Sequence, residues 1–189
     1  MLAQLFYKIL DWLSGFFTMA LLARFLMQWA RASFRNPLGT FVVAVTDWAV
    51  KPARRFIPSA FGLDLASLLL AWLTQAIFHG LVLVLGGADV TLPAIGGVVL
   101  LALIGVVRVA IYLLMGVVIV SALLSWVNPY APLAPLFNDL ARPFLRPVQR
   151  LIPLIGGIDL SPMVLLLALQ ILLTVLAMLQ RSLFPFVIG

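Results

Sequence analysis

The chain has 189 residues, of which 65% are hydrophobic and only 10% charged, with a formal net charge of +6. Runs of about 20 apolar residues recur, enough to cross about 30 Å of hydrocarbon, so the composition implies an integral membrane protein. It has no cysteine, which excludes disulfide frameworks, thiol catalysis and iron–sulfur ligation; six aspartates and no glutamate leave the basic residues to be sorted by membrane side.

The first apolar segment covers about 10–29, with Asp11 at its start and Arg24 near its end. Lys8, the apolar run and the small residues Ala30 and Ala32 imitate a signal peptide, but Arg24 and Trp29 suit a retained helix end. A basic loop over 31–63 follows. Within it Asn36 and Pro37 read as N-cap and first helical residue, predicting a short surface helix over 38–50 that Lys51, preceding Pro52, should end.

Residues 65–85 form a second span, about 31 Å long as a helix, interrupted by Ser67, Thr74, Gln75 and His79. The glycines and Asp89 at 86–89 predict a turn, and 93–97 a second break. The third span is expected over 107–127, with 98–105 as a tilted extension or half-buried segment. The second loop, 128–158, places Arg142, Arg146 and Arg150 four apart, opposite Phe137, Leu140, Phe144, Val148 and Leu151. Pro143 and Pro147 argue for short helical turns in place of one unbroken helix. A fourth span covers 160–179.

The chain repeats itself. Positions 52–64 return 95 residues later as 147–159, and six of the thirteen are identical: proline, arginine, isoleucine, proline, glycine and aspartate. Trp126 follows Trp29 by 97, so the third span is the copy of the first. The expected organisation is all-α, with four transmembrane helices as two parallel helical-hairpin repeats (1–90 and 91–189) and amphipathic interfacial loop helices. The two loops hold eight of the twelve basic residues, which places them in the cytoplasm and both termini outside. The second and fourth spans, which carry matched glutamines, are expected at the centre.

A doubled, arginine-bearing segment that opens on Pro, closes on Ile and Pro and is followed by Gly and Asp, with tryptophan and Asn-Pro upstream, resembles the YggT (YlmG) family of small bacterial and plastid membrane proteins. The resemblance implies a bacterial inner-membrane location and roles of the kind associated with relatives: osmotic tolerance, septum or nucleoid organisation, and cytochrome assembly in plastids. It implies no reaction.

Several residues invite a role. Asp64 and Asp159 each open a span, where a carboxylate caps free N–H groups for about 1 kcal/mol. A sharper reading pins each loop through Arg55 to Asp64 and Arg150 to Asp159; an ion site built from the two acids is sharper still. Gln75 and Gln170, one repeat apart, are read as interhelical glue worth about 0.6–2 kcal/mol, with a permeation path as the alternative. The lone histidine, His79, is expected to be hydrogen-bonded in the bundle and not to ligate metal. Asp11 and Arg108, at equivalent positions, are candidates for a salt bridge, against the plainer reading that Arg108 snorkels to headgroups.

The basic residues Arg31, Arg35, Lys51, Arg54, Arg142 and Arg146 are expected to contact anionic headgroups, each worth about 1 kcal/mol. A membrane-protein partner or a further copy of the chain is the other candidate occupant. Nucleic acid is disfavoured, because prolines and apolar anchors direct these charges along the membrane plane. No nucleophile–base pair, metal-spaced cluster or phosphate loop appears, so the expectation is a non-enzymatic membrane organiser or assembly factor without cofactor; the alternative is a transport or channel component.

Overall fold

The computed structural model describes residues 2–58, 62–87, 89–151 and 159–188. It contains α1 (Leu2–Trp29), α2 (Pro37–Ala53), α3 (Leu65–Leu85), α4 (Leu92–Val127), α5 (Ala134–Leu151) and α6 (Ser161–Ile188), with no strand among the described residues. Helices α1, α3, α4 and α6 are long and apolar enough to cross a membrane. Helix α2 joins the first span to the second and α5 the third to the fourth, so the two lie at the same end of the bundle.

Helix α4 includes 98–105 as an extension of the third span, as one expectation had it, and corrects only the break expected at 93–97. It is continuous over 36 residues, about 54 Å, and the expected break at 93–97 is its first turn. Thr91 caps it by accepting from the Ala94 amide at 3.3 Å, and Pro93 stands where the missing N–H costs nothing. A helix of that length exceeds the hydrocarbon core, so it must tilt or project beyond it.

Both loop helices run further than their prolines suggested. Asn36 caps α2 through the Gly39 amide at 2.8 Å, as expected, but α2 continues past Lys51 to Ala53 and takes Pro52 into its last turn. Helix α5 runs unbroken through Pro143 and Pro147. Each proline deprives the carbonyl four residues earlier of its partner. Asp139, Pro143 and Pro147 all lie on the exposed side of α5, where those carbonyls meet solvent or headgroups, and the helix survives. The opposite side of α5 buries Leu136, Leu140, Ala141 and Leu145 against Met27 of α1 and Val117 and Val118 of α4.

Helix α3 packs between α1 and α4, while α6 rests on α4 and α5. The expected central pairing of the second and fourth spans is therefore not what the bundle forms. The reason is local: at the level of Gln75, α4 presents Gly105, where an added Cβ would stand 2.5 Å from the glutamine Oε1. A glycine there lets the two helices close over that amide with the Gln75 side chain in place. Helix α6 leaves Leu167 and Ile171 mostly exposed and meets the outer cluster of Leu83, Ala94 and Leu101 through Leu183.

Candidate functional site at the loop end of the bundle

In the first repeat, three elements converge on Asp64. This carboxylate has no solvent exposure. It caps α3, accepting from the Ser67 amide at 3.4 Å and the Ser67 hydroxyl at 2.6 Å. Arg54, just past the end of α2, brings Nη2 to 2.6 Å from Oδ2, and the same guanidinium donates to Gln28 Oε1 on α1 at 3.1 Å. Arg24, buried on α1, places Nε 3.6 Å from Asp64 and donates through Nη1 to Thr46 and Asp47 of α2, both at 2.8 Å. Lys51 completes the set with Nζ 2.7 Å from Asp47. The span ends and the loop helix are thus tied by two acids and three bases.

The electrostatics follow from these contacts. Burial works to raise the Asp64 carboxyl, but the bonds from Arg54 and Ser67 outweigh it and hold the group below the ordinary carboxylate range. Bonds from Lys51 and then Arg24 do the same for Asp47. Both acids stay charged at neutral pH.

The sequence placed the pin one residue away. Arg54, not Arg55, reaches Asp64, and Arg55 forms no ion pair among the described residues. The second repeat shows the same shift: Gln149, not Arg150, bonds Asp159 through Nε2 at 2.8 Å. Asp159 caps α6 by accepting from the Ser161 amide at 2.9 Å. Burial opposes its ionisation, and the Ser161 and Gln149 bonds overcome that and lower it. Pro153, Gly157 and the rest of 152–158 lie outside the described residues. Gly62, in the first copy, has φ of +78°, which explains why this motif position is glycine.

Arg24 was not singled out from the sequence as a site residue, although a single arginine inside an apolar span was the available signal. Its counterpart 97 residues on is Ser121, which donates to Asn138 Oδ1 at 2.8 Å.

Elsewhere in the bundle, Gln75 is buried and donates to Thr18 of α1 at 3.0 Å, the interhelical bond expected of it. Gln170 instead lies on the exposed side of α6, so the two amides line no shared passage within the chain. His79 is buried with its ring against Phe78, and its Nε2 finds no hydrogen-bond partner among the described residues. The Asp11–Arg108 bridge is not formed within 4 Å; Tyr7 and Phe78, with ring centroids 5.6 Å apart, take the α1–α3 contact near that end.

Around the Asp64 knot lies a basic surface. Arg31, Arg35, Arg55, Arg142, Arg146 and Arg150 are exposed and pair with no acid among the described residues. Trp48, Phe56 and Leu151, beside them, are each more than 70% exposed. Charged groups next to exposed aromatic and apolar side chains suit an interface with headgroups.

The comparisons with known proteins agree with one another. The CCB3/YggT family model matches residues 3–85 and again 100–180. The chain is similar to "Uncharacterized protein YggT" of Escherichia coli (strain K12), 41% identical over 160 residues, covering 82% of this chain and 80% of that protein. It is similar to "Uncharacterized protein PA0392" of Pseudomonas aeruginosa at 40% over 170 residues, 87% and 84% covered. A third relative is the "Uncharacterized protein in proC 3'region" of Vibrio alginolyticus, 35% identical over 164 residues with 86% and 88% covered. No solved structure matches.

Proposed function

Because the chain belongs to the CCB3/YggT family of membrane proteins, we propose that it is a non-enzymatic organiser of the membrane surface, holding anionic headgroups on a basic apron. The observation that carries this reading is that six exposed arginines of the loop ends remain unpaired among the described residues, while Arg24, Lys51 and Arg54 are paired with Asp47 and Asp64. The Asp64 knot fixes α2 to α1 and α3, and α5 is fixed by its buried leucines, so Arg142, Arg146 and Arg150 project from an anchored helix while Arg31, Arg35 and Arg55 flank the ends of anchored ones. At about 1 kcal/mol per basic residue near an anionic surface, six give a substantial, salt-sensitive attraction. Such a surface would gather anionic lipid, or dock a partner that carries acidic groups, at the cytoplasmic face of the bacterial inner membrane. The osmotic and assembly roles suggested by the family resemblance would act through it.

The test is the composition of the lipid annulus. Protein extracted with its surrounding bilayer should carry more anionic lipid than the bulk membrane, and converting Arg31, Arg35, Arg142, Arg146 and Arg150 to Gln should remove the enrichment. An annulus of bulk composition in the native protein overturns the proposal.

A further inference from the structure

The two repeats use the same position in opposite ways. In the first, Asp64 is met by Arg24 and Arg54, and the space between α1, α2 and α3 is filled by their guanidinium groups. In the second, the counterparts of those arginines are Ser121 and Gln149, neither of which carries charge. A cavity of about 130 Å³ opens there, lined by Ser121, Ser125, Trp126, Asn138, Gln149 and Asp159. Its lining carries one formal charge, the Asp159 carboxylate, which accepts from Gln149 and from the Ser161 amide but has no ion pair among the described residues. Copy one fills this place with a donor-only cation, so the chemistry that fits copy two is a cation that donates hydrogen bonds.

The mouth is inverted as well. Where the first repeat has Asp47, the second has Arg142, 95 residues on. Arg142 lines an adjoining groove of about 230 Å³ together with Ser121, Asn138, Asp139 and Gln149. Asp139, also at this mouth, forms no ion pair with it. An anion is favoured at Arg142 and a cation at Asp159 in the adjoining cavity, at the ends of two spanning helices and beside an indole ring.

We propose that this cavity binds the headgroup of a zwitterionic aminophospholipid, with the primary ammonium at Asp159 and the phosphate at Arg142. A phosphoethanolamine group has this order of charges across a two-carbon linker. Phosphocholine has the same charges, but its trimethylammonium donates no hydrogen bond to the acceptors within. Phosphoglycerol lacks the cation. The acyl chains would lie along α4 and α6, which flank the cavity through Trp126 and Pro162. The site shares Arg142 with the basic apron but depends in addition on Asp159 and on a primary ammonium, which the apron reading does not involve, so each reading can fail alone.

The experiment measures the thermal unfolding midpoint of the purified full-length protein in micelles doped with phosphatidylethanolamine, phosphatidylcholine or phosphatidylglycerol of identical chains. Phosphatidylethanolamine should raise the midpoint above either control. Ser121→Arg, which supplies the guanidinium of the first repeat, should raise the midpoint without lipid and abolish the increment. Arg142→Gln, an exposed change outside the packed core, should leave the lipid-free midpoint unchanged and reduce the increment several-fold. An equal rise with phosphatidylcholine overturns the proposal, and so does an increment retained in Arg142→Gln or in folded Ser121→Arg. A rise with phosphatidylglycerol alone also overturns it while leaving the apron reading intact.

Discussion

Arg54 Nη2 lies 2.6 Å from Oδ2 of Asp64, a carboxylate wholly removed from solvent. The guanidinium itself is 39% exposed, so its loss is cushioned by water, whereas loss of the acid leaves Arg24 facing no compensating charge on α3. Asp64→Asn should therefore cost about 3–5 kcal/mol and Arg54→Ala about 1–3 kcal/mol. Arg55→Ala, one residue away, should stay within about 0.5 kcal/mol. Thermal unfolding in detergent ranks the three, and an Arg55 effect as large as that of Arg54 would contradict the observed pairing.

The pH dependence follows with a definite sign. Asp47, Asp64 and Asp159 are all held below their ordinary value of 3.8. Each contributes stability that is fully present above that value and is lost as pH falls through the lower folded-state value. Stability should be flat on this account from pH 7 to about 5, then fall on acidification. Asp64→Asn should flatten part of the acid limb in an unfolding titration; an unchanged limb would mean that the carboxylate is not linked to folding.

The closure of α3 on α4 gives a third prediction. Gly105→Ala drives a methyl group against the Gln75 amide and should cost about 1–3 kcal/mol. Gln75→Leu removes one hydrogen bond to Thr18 and should cost less than about 1 kcal/mol, near the mean for such bonds in lipid. In the double variant the costs should not add, since the clash depends on the amide. Additive losses would place the two residues apart.

How much of this was legible depends on the element. The spans and the fixed roles of Asp64 and Asp159 as caps followed from apolar run length and from a carboxylate at each helix start, both of which are local properties. The choice between Arg54 and Arg55 was not local. It depends on α2 continuing through Pro52, which sets Arg54 at the helix end with its side chain toward α3. The substitution of Gln149 for Arg54 carried the hint, because both occupy the donor position ten residues before an aspartate. Pro143 and Pro147 misled for a similar reason: their cost is set by which face of α5 they occupy, and that face is fixed by packing on α1 and α4. The peripheral place of α6 likewise required knowing that Gly105, and no residue of α6, sits over Gln75.

The salt dependence of the basic apron offers a fourth check. Arg142→Gln, Arg146→Gln and Arg150→Gln together should weaken retention of anionic lipid while changing the unfolding midpoint little, because all three side chains are exposed and unpaired among the described residues. In the unsubstituted protein, raising salt should mimic the triple variant. Retention that ignores both changes would assign the lipid contact to another surface.

The central claim is that both basic loops face one compartment. The chain has no cysteine, so single cysteines introduced at Arg35 and Arg146 can be probed without background using a membrane-impermeant maleimide on intact spheroplasts and on inverted vesicles. Both sites should label only in inverted vesicles. Labelling of the two sites from opposite sides would contradict the shared face, and with it the common apron.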